Sequence, residues 1–230
     1  SIMENPTYAV RQSINEKLGF GFMTAPLASY QPLGGYPGLE LGIDYHRLDL
    51  TSLVDQGYIR GSDSLDFMAL TLAKGLYYDI DFRFSASIMP QTTTMQFFSG
   101  MLRWKFYEHP SWARLTAVIH YSGASFPAAT HPTATPAAET NYATQGQGYD
   151  LVVSRGFGSF ELFGGVGRAR SVSQFLVDVT VGQKAYVRQD DTLNRYTAGS
   201  AIKWKNGSFS FGMDRVVQNK YFIQTQFELL

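Results

Sequence analysis

The 230-residue chain lacks cysteine, net charge and long hydrophobic runs, and each absence excludes a class of protein. Without cysteine it forms no disulfides, thiol nucleophiles or thiolate metal sites. Its 19 lysines and arginines are balanced by 19 aspartates and glutamates. Because binding of nucleic acid normally needs a basic surface, we expect no nucleic-acid partner. No run of about 18 consecutive apolar residues is present, which excludes a membrane-spanning helix.

What the chain has instead is a high content of aromatic residues (15%) and glycine (22 residues), with only 17% charged residues. Such a chain is too apolar to remain disordered. Both a soluble β protein and a transmembrane β-barrel have this composition. The period of the hydrophobic pattern and the spacing of the turns decide between them.

Polar and apolar residues alternate along most of the chain. Leu39, Leu41, Ile43 and Tyr45, for example, are separated by single residues that are mostly polar. The same period of two returns in segments 80–88, 98–106, 113–121, 149–153, 160–166, 196–204, 209–213 and 221–229. Many of these runs are roughly 9 to 13 residues long, as a tilted strand needs to cross a bilayer. Strands of soluble proteins average about 5 or 6 residues.

The predicted connections alternate between short and long. Short ones lie near residues 75–78, 108–111, 155–159 and 205–207, and long ones near residues 51–63, 90–94, 122–147, 171–191 and 214–220. All three tryptophans, Trp104, Trp112 and Trp204, lie beside short turns, where we expect a membrane-interface girdle. Short turns at one end and long loops at the other are typical of outer-membrane barrels.

Over residues 38–230 the chain therefore resembles bacterial outer-membrane β-barrel proteins. The resemblance implies an all-β fold, a single antiparallel transmembrane barrel of about ten strands, located in the bacterial outer membrane. It also implies contact with outer-membrane lipids and allows an envelope protein as a further partner.

Residues 1–37 differ from the predicted barrel, residues 38–230. Asn5 and Pro6 are a helix-start signal, and Val10, Ile14 and Leu18 form one helical stripe. We therefore predict a short N-terminal helix followed by an extension. An alternative barrel of twelve strands would recruit residues 8–16 and 18–29 as strands.

The inward face predicted from the alternation carries acidic and basic side chains in nearly equal number. Balanced charges in a narrow lumen favour a mutual ion-pair network over a selectivity filter, which would need a ring of one sign. The predicted lumen-lining residues are Glu40, Asp44, His46, Asp81, Arg83, Arg103, Lys105, Arg114, Asp150, Glu161, Arg195 and Lys203, with Asp214 and Glu228 as further acids.

Apolar residues also fall on the predicted inward face, and something should cover them. They are Met68, Leu70, Leu72, Phe97, Met101 and Phe163. We hypothesise that residues 5–37 fold against the lumen as a plug, through Phe20, Phe22, Met23 and Leu27. The alternative is an error of phase in the strand around Met68, since Leu65, Phe67 and Ala69 are apolar as well.

The tripeptide His120-Tyr121-Ser122 places an imidazole and a hydroxyl on one strand face, where the imidazole could activate the hydroxyl for acyl transfer. It resembles the His-x-Ser pair of outer-membrane lipid A deacylases and phospholipases. The resemblance implies His120 as base, Ser122 as nucleophile and Glu139 or Glu161 as the orienting acid. The strand phase, however, turns His120 inward, whereas those enzymes act on the outer surface.

The four histidines lack the spacing of metal ligands, and we expect no metal and no cofactor. The sequence favours a non-catalytic barrel. Its predicted role is a narrow or gated passage for small solutes, or a membrane anchor within an envelope assembly. The alternative is a lipid esterase that uses His120 and Ser122.

Overall fold

The computed structural model describes residues 7–23, 38–58, 62–88, 96–109, 113–126, 142–180, 183–217 and 219–229. Within these ranges the chain forms a closed antiparallel barrel of ten strands, in which each strand pairs with its neighbours in sequence. The strands are β1 (Leu39–Asp49), β2 (Ser64–Gly75), β3 (Ile80–Ser87), β4 (Gln96–His109), β5 (Ala113–Phe126), β6 (Tyr142–Phe157), β7 (Phe160–Thr180), β8 (Gln183–Trp204), β9 (Gly207–Arg215) and β10 (Asn219–Glu228).

Pairing of β1 with β10 closes the sheet, with Glu40 opposite Glu228 and Leu48 opposite Lys220. The predicted ten-stranded barrel is confirmed. The twelve-strand alternative is wrong because Tyr8–Ile14 is an α-helix (α1) that continues with π-helical hydrogen bonds over Asn15–Gly19. A second, short helix, α2 (Thr51–Asp55), lies between β1 and β2. No helix in the described ranges is long and apolar enough to cross a membrane.

The outer surface of the barrel is apolar on every strand. Each strand leaves at least one large apolar side chain exposed, among them Ile43, Leu70, Phe84, Leu102, Ile119, Leu151, Leu162, Ile202, Phe211 and Ile223. In water this surface would forfeit about 25 cal/mol for each Å² of apolar area. A closed barrel with an apolar outside and a polar inside spans the bacterial outer membrane, since all backbone groups at membrane depth are paired within the sheet.

Two predicted features of the connections need correction. Residues 171–191 are not a long loop, because β7 and β8 remain paired as far as Asp178 opposite Lys184. Polar outward residues such as Gln174, Arg188 and Asp190 look like a loop in the sequence, but they lie toward the outer end, beyond the apolar band, where a strand needs no apolar face. The predicted loop 122–147 is likewise shorter, because β5 continues to Phe126 and β6 begins at Tyr142.

The phase predicted for β2 is also wrong. Met68, Leu70 and Leu72 are exposed on the outside, whereas Phe67 and Ala69 are buried inside. The pairing with β1 runs without a bulge. The alternation misled because both faces of this strand are apolar, one toward the membrane and one toward the N-terminal helix.

Trp104 and Trp204 are exposed near the end of the barrel that carries the short turns. Trp104 lies 5.6 Å from Phe106 and Trp204 lies 6.4 Å from Phe227, measured between ring centroids. Trp112 lies outside the described residues. We call this the inner end of the barrel, and the opposite end, with connections 50–63 and 127–141, the outer end.

Candidate functional site

The lumen has two differently filled halves. The half toward the outer end contains the helix formed by residues 8–19, which we call the lumen helix, and we name this part the helix-filled half. The half toward the inner end is lined by ion pairs, and we name it the charged half.

The lumen helix inserts its apolar stripe among wall residues. Val10, Ile14 and Leu18 are spaced by one helical turn and are all buried, whereas Tyr8 on another face is 62% exposed. Phe22 extends the stripe beyond the helix. Burial of each large side chain is worth about 1.5–3 kcal/mol. The same apolar cluster contains Leu50 and Leu53 from the connection that forms α2, and the wall residues Leu48, Phe67, Ala69, Phe97, Ala124, Tyr142 and Phe175.

One polar side chain, Asn15, anchors the lumen helix to β7 and β8. Its Nδ2 donates to Asp191 Oδ2 at 2.5 Å and to the Ser171 carbonyl at 3.3 Å. Its Oδ1 accepts from the hydroxyls of Ser171, at 2.9 Å, and Ser173. Gly19 permits this close approach, because a Cβ there would collide with Ser171 Oγ. The completely buried amide of Asn15 is therefore satisfied by the wall alone.

The end of the helical segment is joined to the charged half through Lys220. The Lys220 Nζ donates to the carbonyl of Met23 and lies 3.9 Å from Asp214 Oδ2. A displacement of the segment that ends at Met23 would therefore alter the position of Lys220 and its contact with Asp214.

Arg195 is the centre of one ion-pair cluster in the charged half. It donates to both carboxylate oxygens of Asp214, with Nε 2.9 Å and Nη2 2.8 Å away. Its Nη1 lies 2.7 Å from Nε2 of His120 and 3.4 Å from Asp150 Oδ2. His120 Nε2 is also 3.2 Å from that Asp150 oxygen. This buried guanidinium thus joins side chains from four strands.

A second cluster lies on the wall formed by β1 to β4 and β10. Arg103 holds Asp81 through two hydrogen bonds, of 2.6 and 2.8 Å, and Arg83 lies 3.5 Å from Glu40. Asp44 accepts hydrogen bonds from Thr71 at 2.6 Å and Gln224 at 2.5 Å.

A third cluster surrounds the inner mouth. Glu161 contacts Lys203 at 2.5 Å and Arg114 at 3.6 Å. Glu108 joins the cluster, since it accepts from Arg114 at 2.7 Å and Lys105 at 2.5 Å. These three cations are partly exposed, as expected at a mouth.

All twelve residues predicted to line the lumen lie on the inner face. Eleven belong to the clusters just described, and His46 lies instead in the helix-filled half, stacked 4.7 Å from Phe67. Asp214 also faces inward. Glu228 is on the same face, directly opposite Glu40, but it is exposed because it lies at the inner end of β10.

The lumen contains polar residues that sequence reasoning missed. Asn15 was missed because it was not counted on the helical stripe, although it lies three residues before Leu18. The buried hydroxyls of Ser154 and Ser210 have no hydrogen-bond partner within the described residues, and neither do the three guanidinium nitrogens of Arg83, a residue that was predicted to face inward. Buried polar atoms normally find a polar partner. The inward phase of their strands was the available signal.

His120 and Ser122 both face the lumen and are buried, as the strand phase predicts. His120 is engaged by Arg195 and Asp150, and no hydrogen bond joins it to Ser122 among the described contacts. Of the two predicted acids, Glu161 is paired with Lys203, and Glu139 lies outside the described residues. The described residues contain no group of three or more potential metal ligands.

No family model and no curated protein matches the chain. Among solved structures it is similar to Ail, the attachment invasion locus protein of Yersinia pestis, with 12% identity and a TM-score of 0.38 over 84% of this chain and 97% of that one. Ail in complex with the heparin analogue sucrose octasulfate gives 11% identity and a TM-score of 0.33, with the same coverage. LpxR from Salmonella typhimurium gives 12% and 0.35, over 82% of this chain and 99% of that one. Such low scores leave the function to be argued from the lumen itself.

Proposed function

We propose that this outer-membrane barrel is a gated passage for small polar solutes, with the lumen helix as its gate. The single observation that carries the proposal is the location of that helix. It fills the outer half of a lumen whose inner half is lined with charged and hydroxyl side chains.

The way in which the helix is held supports a reversible gate. Side-chain packing and the four hydrogen bonds of Asn15 attach it to the barrel wall, and within the described residues it shares no strand pairing with the barrel. A segment held in this way can leave without breaking the sheet. Its release would expose the polar groups of the charged half to the outer end.

The balance of charge supports passage of solutes of either sign. Each buried arginine of the charged half has a carboxylate beside it, as in Arg103 with Asp81 and Arg195 with Asp214. A strongly ion-selective pore would instead carry a ring of one sign. Small polar solutes therefore fit this lining better than a single ionic species.

Conductance in planar bilayers tests the proposal with two matched variants. Substitution of Ile14→Asp together with Leu18→Asp puts carboxylates into the apolar cluster and should expel the helix, so that conductance rises severalfold. The control is Tyr8→Asp, which adds a charge to the same helix at an exposed position and should leave conductance unchanged. Equal conductance of the double variant and the unmodified protein would contradict the proposal.

An engineered disulfide provides a second, independent test of the gate, because the chain has no native cysteine that could form other disulfides. In the variant Asn15→Cys/Ser171→Cys, oxidation should tie the helix to β7. We expect the oxidised form to stay closed at voltages that open the reduced form. Identical records before and after reduction would argue against a moving helix.

The esterase alternative stays a hypothesis with its own test. The inward location of His120 and Ser122 does not favour attack on membrane lipid. Release of acyl chains from lipid A or phospholipid by the unmodified protein, abolished by Ser122→Ala, would support it. The predicted role as an anchor has no supporting contact within the described residues, and co-purification from detergent extracts would test it.

A further inference from the structure

A groove on the outside of the barrel crosses the strands from β3 to β7 and has a volume of about 570 Å³. One row of the sheet forms its edge. In this row Phe82 is opposite Leu102, Leu102 is opposite Ile119, Ile119 is opposite Tyr149, and Tyr149 is opposite Arg168. The groove therefore has an apolar end at β3 and a basic end at β7.

The groove also slopes through the apolar band. Phe82 lies two residues after β3 begins at Ile80, near the inner end. Arg168 lies two residues after the exposed Val166 on the same face of β7, toward the outer end. The apolar end consequently reaches down into the bilayer, and the basic end lies where headgroups of the outer leaflet begin.

The arginines at the basic end differ in their partners. Arg170 is neutralised by Asp190 through hydrogen bonds of 2.9 and 2.6 Å, and Arg188 also contacts that carboxylate at 3.1 Å. Arg168 forms no hydrogen bond or ion pair within the part of the chain that the structure describes. Its exposed guanidinium is thus available to an anion.

A second outer groove, of about 750 Å³, also borders Arg168 and is lined by Leu151, Val166 and Tyr196. The guanidinium therefore stands between two largely apolar grooves. A ligand that matches both must carry an anionic group with more than one apolar chain attached to it.

We propose that Arg168 binds a phosphate of a glycolipid in the outer leaflet, and that acyl chains of this lipid occupy the two grooves. A guanidinium presents paired N–H donors that match phosphate oxygens. The acyl chains would lie against Phe82, Leu102 and Ile119 in one groove and Leu151 and Val166 in the other. This site lies on the outer wall and does not depend on the proposed gating.

Native mass spectrometry of the detergent-purified full chain tests the site, with diphosphoryl lipid A and its phosphate-free analogue as probes. We expect one lipid A per barrel, bound at least tenfold more tightly than the analogue. Arg168→Ala should remove this preference, and Arg168→Lys should restore part of it. Arg47→Ala is the matched control, because Arg47 is exposed on β1 and lines neither groove.

A second variant tests the groove without changing charge. A Cβ on Gly100 would meet only Phe82, at 3.8 Å, so Gly100→Leu fills the groove without a clash with the backbone. We expect at least a tenfold loss of lipid A binding. Binding unchanged in both Arg168→Ala and Gly100→Leu, equal weakening by Arg47→Ala, or a second copy of the chain in place of lipid would each overturn the proposal.

Discussion

The two halves of the lumen are filled in different ways, one by an apolar helix and the other by ion pairs of the barrel wall. In the helix-filled half, the lumen helix buries apolar side chains, and the amide of Asn15 forms hydrogen bonds with the barrel wall. In the charged half, the wall fills its own interior with ion pairs such as Arg195 with Asp214. The first arrangement can be undone locally, whereas the second is part of the barrel. This difference fits the proposed gate, in which the helix-filled half moves and the charged half does not.

Removal of the central cation should have the largest effect. Arg195→Ala leaves Asp214 and Asp150 buried without their guanidinium, and breaking a buried pair in this way costs about 3–5 kcal/mol. We expect a clear fall in the urea midpoint of unfolding in detergent micelles, followed by tryptophan fluorescence. Arg215→Ala, at an exposed position, should leave the midpoint nearly unchanged. Equal urea midpoints for both variants would show that the ion pairs of Arg195 do not stabilise the charged half.

An intermediate and local effect is expected from the helix anchor. Asn15→Ala leaves hydroxyls and a carboxylate of the wall unsatisfied, which costs about 1–3 kcal/mol. Amide hydrogen exchange over residues 8–23 should accelerate roughly 5- to 150-fold, while exchange in β1 to β10 stays slow. The control is Gln12→Ala, since among the described residues the side chain of Gln12 bonds within the helix, to Glu16. Acceleration throughout the barrel would show that the helix is not an independent unit.

The smallest effect should come from an ion pair of the same geometry outside both halves. Arg170 and Asp190 form two hydrogen bonds, as Arg195 and Asp214 do, but in solvent. Exposed pairs contribute little because water and salt screen them. Asp190→Asn should therefore leave the unfolding midpoint unchanged within measurement error at 0.15 M salt. A shift as large as that of Arg195→Ala would show that burial does not govern these pairs.

The sequence predicts the barrel well where only one face of a strand is apolar. In β1 the alternation of Ile43 with Asp44 leaves a single choice of phase, and the structure agrees. In β2 both Phe67 and Met68 are apolar, so the local pattern is consistent with either phase. Only the presence of the lumen helix explains why Phe67 is the residue that lies inside.

The candidate site was predictable to the same extent. The inward direction of His120 and Arg195 follows from the alternation in each strand. Their contact does not, because they are 75 residues apart and meet only through the register of three strand pairs. The anchoring role of Asn15 required knowledge of which wall the helix meets.

Where only one face of a strand is apolar, the sequence by itself determined which side chains face hydrocarbon, because a period of two residues is a local property of extended backbone. Only the tertiary structure decided which inward charges are partners and what fills the outer half of the lumen. Both depend on closing ten strands in one register, and this brings together residues whose separation along the chain carries no trace of their contact.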